Sequence, residues 1–444
     1  MEAMDLLLRD VTVVDPGPDR TAIRSGCDIA IRGPAIVAVE PTGQLDPAAA
    51  RQIIEGTGMV AMPGLINLHA HAAMVLFRGA AEDVPLEEWF NDYIWAMEAN
   101  LTPEDIYWGA LLAAVEMIEG GITTVADHYF EMDQVAQAFA EAGLRAHLAW
   151  TMFGQQPAEE LERAAGFAAR WHGAAEGRIR VWLGPHAPYT CSLDFLEAVA
   201  REARRFGLGC HIHAAETAEQ VTASLQRNGL TPIQVLERVG LMAQPLLCAH
   251  AAHVAPQDIA LMAAHRVGVA HCPKTFLKLA AGIAPVVAMR EAGIPVGLGT
   301  DGAASNNTLD LWEQMRLAAL LQKHERQDAR ALPLQEALWM ATGEGARALG
   351  EEGRLGRLQP GYLADLILVR VDGVHVQPLH RLEAALVYAV RASDVDTVIV
   401  NGRVVMAHRQ LLTADKAEIL RQAQERAARL AQRAGGRRVQ TYSL

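Results

Sequence analysis

Cationic residues are scarce in this chain: 39 Lys and Arg stand against 52 Asp and Glu, a formal net charge of -13, and no lysine precedes Lys274. An excess of negative charge repels phosphate backbones and anionic lipid, so a nucleic-acid or membrane-surface partner is excluded and a small molecule is expected. Cysteine is equally sparse. Cys27, Cys191, Cys210, Cys248 and Cys272 are isolated, odd in number and form no CxxC pair, which excludes a disulfide framework and reads as buried, reduced thiols. Long apolar runs are missing as well: no stretch approaches the roughly 18 residues of a membrane span. Met1 to Asp10 holds only Leu6-Leu7-Leu8 before Arg9, too little for a secretory signal, so the expected compartment is the cytoplasm. Internal repeats and low-complexity linkers are not visible.

What is there is a large globule. With 444 residues, 51% of them hydrophobic, the chain exceeds one small core and suits a large barrel with a smaller attached domain. From Met4 to Met62, short strand-like runs such as Val11-Thr12-Val13-Val14 and Ala35 to Val39 are punctuated by Pro16-Gly17-Pro18 and Gly33-Pro34. From Leu65 onward apolar strands alternate with amphipathic helical segments. After the Leu65 strand come Ile122 to Ala126, Arg145 to Trp150, Ile179 to Leu183, Gly209 to His213, Leu246 to Ala249, Gly268 to Ala270 and Val296 to Gly299, eight in all. Segments such as Glu104 to Glu119, Leu193 to Phe206 and Leu309 to Gln322 separate them. The pattern predicts an α/β fold, a (β/α)8 TIM-type barrel over 63–355. Strand-like runs return at Ala364 to Val369 and Thr397 to Val405, the latter holding the hairpin signal Asn401-Gly402. A small β-sandwich made of 1–62 and 356–410 is expected, followed by a charged helix in 411–444.

Chemistry gathers at the predicted strand ends. His69 and His71, at i and i+2, project from one strand face. His213 ends the fifth strand, His250 the sixth, and Gly299-Thr300-Asp301-Gly302 follows the eighth. Catalytic residues of such barrels converge at the carboxyl ends of the strands. His69, His71, His213 and Asp301 give three imidazoles and a carboxylate, suited to one divalent ion, zinc or alternatively iron, with a position left open for water. The usual bridge to a second ion is a carbamylated lysine on the fourth strand, and the absence of lysine before Lys274 excludes it. Glu216, three residues beyond His213, is placed as general acid/base, and His250 to hold the attacking oxygen. His186 sits at the rim after the fourth strand and should touch substrate. His128, His147, His172, His253 and His265 are read as surface or packing residues; His271 is balanced between a structural and a site role.

These blocks resemble the amidohydrolase superfamily, in its cytosine/adenosine-deaminase and chlorohydrolase branch. Pro63 to His71, His213-x-x-Glu216 and Gly299-Thr300-Asp301 carry the likeness, which spans nearly the whole chain. Arg78 to Asp83 with Glu88-Trp89, Gly184 to Tyr189, Leu277 to Val286 and Gly299 to Asn307 look like the 5'-methylthioadenosine/S-adenosylhomocysteine deaminases. The resemblance implies hydrolytic attack on C6 of an adenine nucleoside, with Glu216 protonating N1 and then the departing amine, and an inosine-type product. It further implies that Glu98 contacts the ribose, that His186 and Trp89 contact substrate, and that copies of the chain associate. The alternative reading keeps the centre and changes the ring, to guanine, a pterin or a chlorotriazine. A scaffold without activity fits poorly, because the four ligands and Glu216 are all present. Two departures stand out. Trp150 occupies the end of the third strand, where some members carry an arginine for the homocysteine carboxylate, which favours a neutral 5' substituent such as that of 5'-methylthioadenosine, 5'-deoxyadenosine or adenosine over S-adenosylhomocysteine. Phe276 replaces a polar residue, and either lines the pocket or packs beneath its loop.

Overall fold

The computed structural model describes residues 4–85 and 88–433. Eight parallel strands, Leu65–Ala70, Ile122–Tyr129, Arg145–Met152, Ile179–Pro185, Cys210–Ala214, Leu246–His250, Gly268–His271 and Val296–Leu298, lie side by side in chain order. The ring is completed at its carboxyl end, where the N–H groups of Thr300 and Asp301 both donate to the His69 carbonyl, at 3.1 and 2.9 Å. Each strand therefore falls where apolar runs alternate with helical segments in the sequence. Inward-facing Ile66, Leu68, Ala126, Ala149, Trp182, Leu247 and Ala270 fill the axis below the site.

The helices form the outer layer through amphipathic spacing. Leu193–Phe206 is capped by Ser192, whose hydroxyl accepts from Phe195 N, and buries Phe195, Leu196, Val199, Ala200 and Ala203 against the strands. The helix expected in 411–444 runs Lys416–Arg433, and residues 434–444 lie outside the described residues. Arg426 on this helix sits 5.6 Å from the Trp108 ring, so it packs back on the barrel's Pro103–Glu119 helix.

The terminal segments join in one nine-stranded sheet. Its seam is Leu366–Arg370, paired antiparallel with Met59–Pro63, which in turn pairs in parallel with Met4–Pro16. Leu8, Ile29, Leu366, Leu368 and Ile399 from both segments share one apolar core. Asn401 and Gly402 take φ of 54° and 76°, the left-handed pair that a two-residue hairpin requires. Gly64 carries the chain from this sheet into the first barrel strand. A Cβ there would come within 2.1 Å of Thr123 Oγ1, so no larger residue fits the crossing. Below the barrel, buried Arg145 pairs with Asp365 at 2.7 Å and also donates to Asn401 Oδ1 at 2.9 Å, tying the third barrel strand to the sheet.

Candidate active site

Three strand ends carry non-glycine residues in the left-handed region: Ala215 at φ 51°, His250 at 79° and Asp301 at 60°. Such conformations are costly and persist where surrounding bonds enforce them. Here the bonds are Ala251 N to Ala214 O, His253 N to Ala215 O and Asp301 N to His69 O, between 2.9 and 3.0 Å. The result aims Asp301 across the mouth. Its Oδ1 lies 3.4 Å from His69 Nε2 and 3.3 Å from His71 Nε2. His213 Nε2 is 3.4 Å from His71 Nε2. The four predicted ligands therefore form one connected cluster: His69, His71 and Asp301 make one group of three donors, and His213 joins it through overlapping groups with His69 and His250 and with His71 and His128.

Each imidazole is held by its other nitrogen. His69 Nδ1 contacts His211 Nε2 at 2.9 Å, His71 Nδ1 donates to the His128 carbonyl at 2.6 Å, and His213 Nδ1 donates to the His186 carbonyl at 2.9 Å. With Nδ1 of His71 and His213 protonated, their Nε2 lone pairs turn inward, the arrangement a metal-binding imidazole requires. Ser305 Oγ donates to Asp301 Oδ2 at 2.9 Å, which leaves Oδ1 for the centre. Asn67 fixes the turn before Asp301, accepting from Thr300 N at 3.0 Å and donating to Thr300 Oγ1 at 2.8 Å.

The electrostatics call for a cation. His69 Nε2 is buried without a hydrogen-bond partner among the described residues, and burial pulls that imidazole down to about 3. Burial would likewise pull His71 down, but the Asp301 carboxylate outweighs it and pushes this group up to about 9. Burial would raise Asp301, yet the close approach of the His69 and His71 imidazoles holds it well below the usual carboxylate range. A proton on His71 answers the Asp301 charge; a divalent ion bound among the same donors would take that proton's place and free the His71 Nε2 lone pair.

Beside the cluster, Glu216 Oε1 lies 3.7 Å from His250 Nε2, and Gln220 Nε2 steadies the other carboxylate oxygen at 3.4 Å. All of this opens into a cleft of about 930 Å³. Glu98, Trp89 and His186 line the same cleft, with the His186 ring 4.8 Å from that of His213. Glu98 accepts a hydrogen bond from the Tyr129 hydroxyl, and burial pushes its carboxyl up to about 7. Trp89 is 6% exposed and its Nε1 has no hydrogen-bond partner among the described residues. The His186 ring is bonded to Thr190 Oγ1 at 2.9 Å.

A model of the amidohydrolase family matches residues 60–405. The chain belongs to the amidohydrolase family. It is 49% identical to a 5-methylthioadenosine/S-adenosylhomocysteine deaminase of Desulforudis audaxviator, over 96% of this chain and 99% of that one. A relative of the same name from Moorella thermoacetica is 48% identical over 95% and 98%. Among solved structures, an adenosine deaminase from Xanthomonas campestris with bound zinc superposes with a TM-score of 0.92 at 33% identity, over 97% of this chain and 99% of that one. An atrazine chlorohydrolase from Arthrobacter aurescens complexed with zinc gives 0.87 at 29% identity, over 95% and 100%. This amidohydrolase is therefore a hydrolytic enzyme on a fold whose similar structures hold zinc.

In the amidohydrolase some positions depart from the sequence expectations, and Phe276 and His271, for each of which the sequence allows two readings, take one of the two. Trp150 does not face the cleft. It is buried against Phe167, with Arg163 5.8 Å from its outer side, and its neighbour Thr151 points inward instead. Phe276 packs beneath its loop, 2% exposed between His250 and His271, so it does not line the pocket. His128 and His253, expected at the surface or in packing, line the cleft, whereas His271 is buried behind Phe276. His211 was overlooked, although it precedes His213 by two residues and so shares its face, as His69 does with His71. Replacing His211 by Ala is expected to weaken metal affinity about 10–100-fold by freeing the His69 ring. Competition with a chromogenic chelator measures this, and unchanged affinity would remove His211 from the support.

Proposed function

We propose that this amidohydrolase is a mononuclear zinc enzyme that deaminates adenine nucleosides, with 5'-methylthioadenosine, 5'-deoxyadenosine and adenosine as the favoured substrates. The observation that carries the reading is that one cleft joins the proposed donors, the Glu216–His250 pair and Glu98, which is bonded to Tyr129. When bound by His69, His71, His213 and Asp301, a zinc ion supplies Lewis acidity and lowers the pKa of water at the centre. The remaining work falls to side chains. Glu216 takes a proton from the attacking water and delivers it to N1 of the purine. It then passes the second proton to the exocyclic amine as the C6–N bond breaks. Water oxygen ends as the C6 carbonyl and the amine leaves as ammonia, so atoms and charge balance. His250 holds a hydrogen bond to the attacking oxygen and stabilises the charge developing there. Glu98 accepts from ribose hydroxyls, a role for which its carboxylate must be ionised on substrate binding. Trp89 and His186 close the pocket around the nucleoside.

The competing reading, turnover of a bare heterocycle such as guanine, a pterin or a triazine, gives Glu98 no partner. The two separate on a Glu98→Ala variant. The nucleoside reading expects KM for adenosine to rise about 10–100-fold, the cost of removing a charged hydrogen-bond acceptor, with a smaller change in kcat. Steady-state ammonia release checks it. Equal losses for nucleoside and free base would sink the ribose assignment.

A further inference from the structure

We propose that the outer part of the cleft, beyond Glu98, selects adenosines whose 5' substituent is uncharged and apolar, thioethers larger than methyl included, and rejects those carrying a carboxylate. The inference rests on the deaminase reading and names the substrate class of that site.

The first observation is an aromatic wall. Glu98 ends the short helix Trp95–Glu98, so Trp95 and the proposed ribose contact move as one unit. The Trp95 ring lies 5.2 Å from Phe90 and 6.1 Å from Phe153, and Phe153 lies 6.1 Å from Phe130 and 4.7 Å from His186. All of these rings line the cleft. With the base at Glu216 and the ribose at Glu98, the 5' carbon leaves toward these rings, where an alkyl or aryl thioether would bury apolar surface.

The second observation concerns groups that could have held an anion. Phe153 N, Gly154 N and Gln156 N point together, and such a concavity of N–H donors binds carboxylates or phosphates. Here the chain fills it from within: the Glu160 carboxylate, 9% exposed, accepts from all three at 2.7, 2.9 and 3.0 Å. Gly154, at φ +74°, allows the bend, and a Cβ there would strike the Phe195 ring at 2.6 Å. Glu160 thus takes up all three donors and positions Phe153, the one of these residues that lines the cleft.

The third observation concerns side-chain cations. Lys278 is the one Lys or Arg among the described residues lining the cleft. Its Nζ is already bonded to Glu82 at 2.9 Å and to Asn307 Oδ1 at 2.6 Å. Those bonds join three sequence blocks, Arg78 to Asp83, Leu277 to Val286 and Gly299 to Asn307, at the rim. Asp83, Glu98, Glu216 and Glu219 face the same space. A substrate carboxylate entering there would be desolvated among like charges with no free cationic partner. This holds although Trp150 is turned outward, so the selectivity belongs to Phe153, Glu160 and Lys278.

The test compares kcat/KM for ammonia release from adenosine and its 5'-deoxy, 5'-methylthio, 5'-isobutylthio, 5'-phenylthio and S-homocysteinyl analogues, using the full-length zinc-loaded chain. The expected order places the isobutylthio and phenylthio compounds at or above the methylthio compound by up to about tenfold, and the homocysteinyl compound about a hundredfold or more below it. A Phe153→Arg variant is expected to shift the ratio of homocysteinyl to phenylthio turnover about a hundredfold toward the carboxylate. A homocysteinyl compound within about threefold of the phenylthio compound on the native chain would overturn the proposal. If no compound of the set, adenosine included, released ammonia, the deaminase reading would fail. Calorimetric binding of the same set would then still decide the subsite by the same order.

Discussion

A Glu216→Gln variant is expected to lose about a thousandfold or more in kcat while retaining its full metal content. General acid/base groups typically contribute 10²–10⁴-fold, and this one serves two transfers in each turnover, so the upper part of the range applies. Glutamine keeps the size of the side chain and its contact with Gln220, but cannot take the proton from water. The metal should be unaffected, because Glu216 lies outside the group of His69, His71 and Asp301 and reaches His250 instead. A His250→Ala variant should lose less, about 10²–10³-fold, as the removal of one donor to a developing oxyanion does elsewhere. Steady-state kinetics with metal analysis of the same samples read both results. A Glu216→Gln protein with undiminished activity, or one that lost its metal, would contradict the assignment.

Removal of the metal should produce a loss of similar size. Lewis-acid activation is worth several kcal/mol, which at about 1.4 kcal/mol per decade is about a thousandfold or more in rate. Restoration should be complete at one equivalent of zinc, because the donor groups overlap through His69, His71 and His213 and so cannot each hold a separate ion. Stability should fall too. An ion present at a thousand times its dissociation constant stabilises the fold by about 4 kcal/mol, so chelation should lower the melting temperature measurably. Activity that needed two equivalents, or that survived chelation, would dispose of the mononuclear centre.

Why some of this was readable beforehand and some was not follows from periodicity. The barrel strands announce themselves as short apolar runs between helical segments, and the proposed ligands His69, His71, His213 and Asp301 sit at their ends, so chain order is enough to bring these four to one mouth of the barrel. His211 obeyed the same two-residue rule as His69 and went unused. Trp150 shows the reverse problem. In Arg145–Met152 the even-numbered Leu148 and Trp150 face the helices while Ala149 and Thr151 face inward, and a one-residue error in parity exchanges the two sides. Phe276 could not be decided at all, because its fate depends on how the loop after the seventh strand folds over His250 and His271. The aromatic wall was out of reach for a related reason. Phe153 faces the cleft because Glu160, seven residues on, gathers the intervening amides, and no repeat in the sequence signals that bond.

The measurement that bears most directly on the account is ammonia release by the purified chain carrying one zinc ion, offered 5'-methylthioadenosine, adenosine, guanine, a pterin and a chlorotriazine separately at equal concentration. The account expects turnover of both adenosines, with the inosine-type products appearing in step with ammonia, and little from the other rings. Turnover of guanine, the pterin or the triazine with none of either adenosine would contradict it, leaving the metal centre in place but assigning its cleft to another ring.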